Sequence, residues 1–348
     1  MTGVDRKDLY MAQPEIVLSF TPAGPQFAIN EQCVMPSITA TATLKNIVPD
    51  PKVPLQYQWN VTLAFNAGPC VHSMGRQISH PAINVTTPQN TLALPFTQVR
   101  GGDLTVKVSV QVGSSTLKAE SSGLKIVGTN PTLGSLQVAA PANQSFRKLM
   151  RLESGLKQFR GPECPLFSGD NAGGVGICQL TSPAPTDDQV WSWKENLKGG
   201  KTLWTTKENN AKAYPDQVRK SAEFVALVKA YNDQRAATAA AAAIKAGKPA
   251  VATPPVTVTL PDYTDDQLRL DTLRGFNGYA GQLHEYRVKV DANGLLVVSL
   301  NAAGAQGTAE WERVSAADRT AFYDKIGLAA NRRGDPNYVD DVEKQATF

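Results

Sequence analysis

Between residues 15 and 127 the chain alternates. The run over 104–112 is apolar at every second position, and 37–44 does the same with smaller side chains. Residues 55–63 alternate with Tyr57 and Trp59 on one side, and 16–20 is a short apolar-rich run. A period of two places one set of side chains on a buried face, the mark of a half-buried β-strand. Proline and glycine fall between the runs. Short strands at this spacing predict an immunoglobulin-like β-sandwich over 14–130, with Trp59 in its core. Residues 1–13 are polar and predict a loose tail. Nothing in this half offers catalytic chemistry, so it reads as a binding or delivery module.

Beyond the loop Gly128-Thr129-Asn130-Pro131-Thr132-Leu133-Gly134 the period lengthens. Asn143 or Ser145 can cap a helix that carries Phe146, Leu149 and Met150 at helical spacing. Thr186 or Asp187 can cap another, with Val190, Trp191, Trp193 and Leu197. These tryptophans and Trp204 are expected in a core. Helix continues through Phe224, Leu227 and Val228 and into the alanine run 236–243. An extended linker over 248–255 makes 232–262 a surface insertion. Asp265 restarts a helix that runs to Phe276-Asn277. Alternation over 284–290, the pair Asn293-Gly294 and a return over 295–300 predict a β-hairpin within a second insertion, 284–314. A last helix opens at Ala316. The fold class is α+β and multidomain: a sandwich, then a mainly α domain over 140–348 with a hairpin insertion.

One position breaks the helical pattern. The stripe begun at Phe146 lands, seven residues on, on Glu153. Burial disfavours the charged form of a carboxylate, and a carboxyl that keeps its proton near neutral pH is what general-acid catalysis needs. Glu153-Ser154 is followed by a glycine-rich turn, Ser168-Gly169-Asp170-Asn171-Ala172-Gly173-Gly174, and by Gly176-Ile177-Cys178-Gln179. Further on stand Gly275-Phe276-Asn277-Gly278 and Asn337-Tyr338-Val339 with Val342.

In this order the four stretches resemble the soluble lytic transglycosylase branch of the lysozyme superfamily; goose-type lysozyme-like proteins are relatives. The likeness covers about residues 142–342. It implies cleavage of the β-1,4 bond between N-acetylmuramic acid and N-acetylglucosamine in peptidoglycan glycan strands, with Glu153 as general acid. In the transglycosylase route the same carboxylate takes a proton from the muramic C6 hydroxyl, and a 1,6-anhydro ring closes. In an inverting muramidase a second carboxylate activates water from about 6.5–9.5 Å away. Asp170 is the candidate for that role, ahead of Glu163 and Asp187. The resemblance further implies that Gln179 contacts the acetamido sugar, that Asn277, Phe276 and Ser168 line the cleft, and that Tyr338 places a hydroxyl near Glu153. Phe276 stands where the family usually has tyrosine, Cys178 replaces a methionine, and the Glu153-to-Gln179 spacing is some eight residues longer than usual.

Composition narrows the partners. A net charge of +4 spread over both halves argues against nucleic acid. No run reaches the length of a membrane span. His72, His80 and His284 are isolated and no C-x-x-C occurs, so neither a metal site nor a cofactor is expected. Two cysteines in each half permit one disulfide in each, or four free thiols. Cys164 and Cys178 flank the glycine-rich turn, where the residues extra to the family pattern lie, and are the expected pair. The N-terminus shows no signal-peptide pattern. The expectation is either a mature protein or export by another route, a type VI or similar contractile apparatus or a phage, with action in the periplasm or cell wall. The sandwich would then dock to a carrier or spike protein, and a periplasmic immunity protein would plug the cleft. Two readings of other classes compete: a silent wall-binding module and a structural part of a phage tail or injection machine.

Overall fold

The alternation over 104–112 becomes a strand in which Leu104, Val106, Val108, Val110 and Val112 are all buried while their neighbours face outward. The same rule shapes the partner strand, where Tyr57, Trp59, Val61, Leu63 and Phe65 point inward. The computed structural model describes residues 12–169 and 173–348. Most of the expected tail, and Asp170, therefore lie outside the described residues. Among these, the fold is mixed α/β with five sheets and eight α-helices. The chain divides into two compact units. One takes Met1–Ala140, Glu153–Gly200 and Phe348; the other takes Pro141–Leu152 and Lys201–Thr347.

The first unit opens with β1 (Glu15–Thr21), β2 (Gln26–Ala28), β3 (Thr39–Lys45), β4 (Tyr57–Asn66) and β5 (Gln77–Ser79). There follow β6 (Ile83–Thr87), β7 (Thr91–Ala93), β8 (Gly102–Val112), β9 (Ser115–Glu120) and β10 (Leu124–Val127). β1, β3 and β7 form a three-stranded antiparallel sheet. β2, β10, β8, β4 and β5 form the main path of a seven-stranded sheet, with β6 beside β4 and β9 beside β8. β2 and β10 run parallel; the other pairs are antiparallel. Both sheets turn side chains into one hydrophobic core, and Trp59 lies inside it.

α1 (Leu133–Ala139) follows, capped by Thr132, and then α2 (Gln144–Ser154). Beyond α2 the first unit resumes with a short ribbon, β11 (Phe159–Gly161) and β12 (Cys164–Pro165), and with α3 (Asp187–Trp191). Phe159, Phe167, Val175, Val190 and Trp191 belong to the same core as the two sheets. The Trp191 ring meets Phe65 edge-on at 5.0 Å, and the Cβ of any other residue at Gly101 would fall 2.2 Å from it. A disulfide joins Cys70 to Cys164 across 94 residues of sequence. The expected Cys164–Cys178 bridge is therefore corrected: Cys178 is buried and forms no disulfide, and neither does Cys33. Cys178 is buried in the segment held by Asn196, and Cys164 pairs instead with a cysteine of the β4–β5 connection.

α4 (Trp193–Lys220) runs from the first unit into the second, which continues with α5 (Ala222–Lys245), β13 (Thr257–Thr259) and α6 (Asp265–Asn277). Then come β14 (Tyr286–Val288), β15 (Val298–Leu300), β16 (Gln306–Ala309), β17 (Trp311–Arg313), α7 (Ala316–Lys325) and α8 (Tyr338–Glu343). Thr264 starts α6 with a capping box to Gln267. The two expected insertions are not separate. β13, from the first, pairs parallel with β16, from the second, and β15 completes a three-stranded sheet. The turn at Asn293-Gly294 is present, with Gly294 at φ +77°, but the hairpin around it is reduced to one bridge, Val290 to Leu296. β14 pairs with β17 instead. No described helix is long and apolar enough to cross a membrane.

Candidate functional site

Asn143 Oδ1 accepts the Phe146 N–H at 3.1 Å and starts α2. Phe146, Leu149 and Met150 are buried along its length. Glu153, one step further along that stripe, is half-buried in the last turn. Gly155 and Leu156 then adopt left-handed φ values of +59° and +66°, and the Leu156 N–H donates to Ser154 Oγ at 3.1 Å. These contacts end the helix directly after the carboxylate.

The glycine-rich turn is held from several directions. Ser168 donates its N–H to the Gly174 carbonyl at 2.9 Å, and its hydroxyl accepts the Gly174 N–H at 3.1 Å. Val175 and Leu180 exchange two backbone bonds of 3.1 Å. Within the loop they close, Gly176 has φ +75°. A Cβ at that position would lie 2.4 Å from Gln158 Oε1 and 2.5 Å from Asn196 Nδ2, so glycine is required on two counts. Both amides are fully buried. Gln158 Oε1 accepts the Ile177 N–H and its Nε2 donates to the Gln189 and Val190 carbonyls. Asn196 Oδ1 accepts the Cys178 N–H and its Nδ2 donates to the Val175 and Gln189 carbonyls.

Gln179 follows at φ +46°. Its Nε2 donates to the Gly176 carbonyl at 2.8 Å. A carbonyl can only accept, so this bond settles which end of the amide is which. Gln179 Oε1 is then a buried acceptor with no hydrogen-bond partner among the described residues. Buried acceptors are nearly always paired, and an unpaired one costs about 1–3 kcal/mol. Glu153, Ser168 and Gln179 thus share one compact unit, with Ser168 as a brace of the turn.

Phe276, Asn277 and Tyr338 belong to the other unit. Phe276 packs in an aromatic group with Phe146 and Trp204, at ring separations of 6.4 and 6.1 Å. Asn277 Oδ1 lies 3.5 Å from an Arg274 guanidinium nitrogen. Tyr338 is buried at the start of α8, which packs on α6. Of the secondary acid candidates, Glu163 is engaged by Lys125 at 2.9 Å and by Gln26 at 2.8 Å. Asp187 sits in the first turn of α3, where a carboxylate suits the helix dipole. Asp170 lies outside the described residues.

The second unit also holds groups that the sequence reading passed over. Asp271 is fully buried and accepts His284 Nδ1–H at 2.8 Å, the Glu285 N–H at 2.7 Å and the Tyr279 hydroxyl at 3.3 Å. The imidazole is stacked between Tyr214 at 3.5 Å and Tyr279 at 3.9 Å. Nothing local signals this pairing, because Tyr214 is distant in sequence and His284 stands alone. Among the described residues no three His, Cys, Asp or Glu side chains converge as metal ligands would.

No protein-family model matches the chain, and no curated protein is significantly similar to it.

Proposed function

We propose that the chain cleaves peptidoglycan glycan strands, with Glu153 as general acid and the 1,6-anhydro sugar as product. The observation that carries this reading is the half-buried Glu153 at the end of an amphipathic helix, in one compact unit with a braced glycine turn whose Gln179 carbonyl has no partner among the described residues. A carboxyl partly withdrawn from water can hold a proton for a leaving oxygen. On this reading Gln179 Oε1, buried in the free chain, accepts an acetamido N–H once the sugar is seated against it. In this mechanism the Glu153 proton passes to the glycosidic oxygen as the bond to the anomeric carbon breaks with oxocarbenium character. The resulting carboxylate takes the proton of the C6 hydroxyl, whose oxygen closes the anhydro ring. No water is consumed.

On this reading the first two sheets are an immunoglobulin-like delivery or binding module, and the helical part is lysozyme-like. Action in the periplasm or cell wall, docking to a carrier and inhibition by an immunity protein belong to the same proposal. The test is mass spectrometry of muropeptides released from purified sacculi. Products lighter by one water and resistant to borohydride are expected. Glu153→Gln, which keeps size but removes the donated proton, should lower their release by about 10²–10⁴-fold. Reducible ends would make the enzyme a muramidase. No release by the folded chain, or full release by Glu153→Gln, would sink the assignment.

A further inference from the structure

One edge strand of the seven-stranded sheet, β6, has a feature of another kind. β6 pairs with β4 along one side, and no backbone hydrogen bond among the described residues reaches the other side of Ile83–Thr87. Soluble proteins normally guard such edges with charges, proline or a bulge, because the open N–H and C=O groups template another strand. β6 reads Ile-Asn-Val-Thr-Thr. It has no charged residue and no register shift against β4, and its prolines, Pro81 and Pro88, stand outside it. Ile83, Val85, Thr86 and Thr87 are β-branched, the type that favours strand pairing.

Beside the start of β6 lies a hollow of about 280 Å³, walled by Val61, Leu63, Ile83 and Phe96, with His80, Thr97, Gln98 and Arg100 as polar members. Two of these carry a buried nitrogen, His80 Nε2 and Arg100 Nε, that has no hydrogen-bond partner among the described residues. The other groups of Arg100 are engaged by the Val99 carbonyl, the Asp188 carboxylate and Gln98 Oε1. Asp188 balances the guanidinium charge. Burial, and then Arg100, lower the pKa of His80 from the usual histidine value, against the pull of Asp187 and Asp188. The hollow thus has largely apolar walls, an ion-paired guanidinium and unspent nitrogens, beside an unpaired strand edge.

We propose that β6 is a docking edge for an extended segment of a partner polypeptide, which adds as a further strand and seats one bulky, uncharged apolar side chain in the hollow. In strand addition the backbone bonds supply affinity and the side-chain pocket supplies specificity. The hollow suits a leucine or an aromatic ring, and a carbonyl of the segment can accept Arg100 Nε–H. A second copy of this chain fits less well: β6 offers only Ile83 and Val85 as anchors, and Ile83 already lines the hollow.

The test is a displayed library of random ten-residue or similar peptides (roughly the length of one strand) panned against the intact chain. Enriched peptides should alternate β-branched residues around one Leu, Phe or Trp, and their binding should slow hydrogen exchange at the β6 amides. Two variants probe the two elements. Thr86→Lys places a charge on the exposed edge, and Ile83→Phe fills the hollow. Each should weaken an enriched synthetic peptide by about tenfold or more. Thr86 is exposed, so the edge test stands even where Ile83→Phe fails to fold. Absence of enrichment, or peptides indifferent to Thr86→Lys, would overturn the proposal. A concentration-dependent dimer dissolved by Thr86→Lys would overturn the choice of partner and assign the edge to a second copy. Neither result bears on Glu153, so this proposal and the catalytic one fail separately.

Discussion

Gln158 and Asn196 hold successive links of the glycine-rich turn: one carboxamide oxygen accepts the Ile177 N–H at 3.2 Å and the other the Cys178 N–H at 2.9 Å. The two amides are 38 positions apart, by subtraction, and both are wholly withdrawn from solvent. Each therefore satisfies backbone groups that would otherwise be buried without partners. The turn that presents Gln179 is built from the inside, by side chains on either flank of it, and its backbone geometry depends on them.

Gly176→Ala is expected to break this arrangement. The added Cβ would lie 2.4 and 2.5 Å from the two amides, well inside van der Waals contact, at a φ of +75°. Loss of the bonds and the backbone strain together should cost about 2–4 kcal/mol. Urea unfolding of the intact chain reads this directly. A midpoint unchanged from wild type would show that the turn yields without effect on the core.

The disulfide gives a second expectation. Cys70 lies in the β4–β5 connection and Cys164 on β12, with a separation of 94 residues. Closing so long a loop stabilises by about 4–5 kcal/mol in the chain-entropy model. Cys164→Ser should therefore lower the unfolding midpoint strongly, whereas Cys178→Ser, a change of one buried atom, should cost far less. Non-reducing peptide maps should show the Cys70–Cys164 pair, with Cys178 alkylated only on unfolding. A Cys164–Cys178 fragment in such a map would overturn the connectivity.

These cases mark what local sequence can and cannot carry. Strand β8 is legible because its alternation is a property of nine consecutive positions, by count from 104 to 112. The start of α2 is legible because Asn143 acts on a residue three places ahead. Glu153 is conspicuous because it sits where the stripe expects an apolar side chain. The partner of Cys164 is not legible, and neither is the pairing of Tyr286 with Arg313 in place of the residues across the Asn293-Gly294 turn. Both are choices among distant segments, decided by packing. The same holds for Phe167, Val175 and Trp191, which join a core made mostly by residues before 130.

Glu285 supplies a third prediction. It is almost fully buried and accepts from Arg274 at 3.0 Å, Arg319 at 3.1 Å and Arg313 at 2.8 Å. Arg274 and Arg319 are themselves buried, while Arg313 reaches solvent. Glu285→Gln leaves two interior guanidinium groups without a countercharge and should destabilise by about 3–5 kcal/mol. Arg313→Met keeps the two buried partners and should cost much less. Equal losses in the two variants would show that the interior pairs are no stronger than the one at the surface.

The tyrosines of the second unit predict a failure at high pH. Burial, reinforced by Asp271 and Glu223, pushes the Tyr214 hydroxyl up to about 12. Burial likewise raises Tyr286 to about 12, and it raises Tyr263 and Tyr279 further. In an unfolded chain these hydroxyls titrate near pH 10. Above that value the unfolded state sheds protons that the folded state retains, so rising pH favours unfolding. The stabilisation is complete below about pH 10 and is lost as pH climbs toward and through the folded value near 12. Urea midpoints should hold steady up to about pH 10 and then fall, with tyrosinate absorbance from these residues appearing together with loss of structure. Tyr214→Phe and Tyr286→Phe remove the proton at issue and should flatten the fall in proportion. Tyrosinate signals from both residues near pH 10 in a chain that is still folded would refute the buried-hydroxyl account.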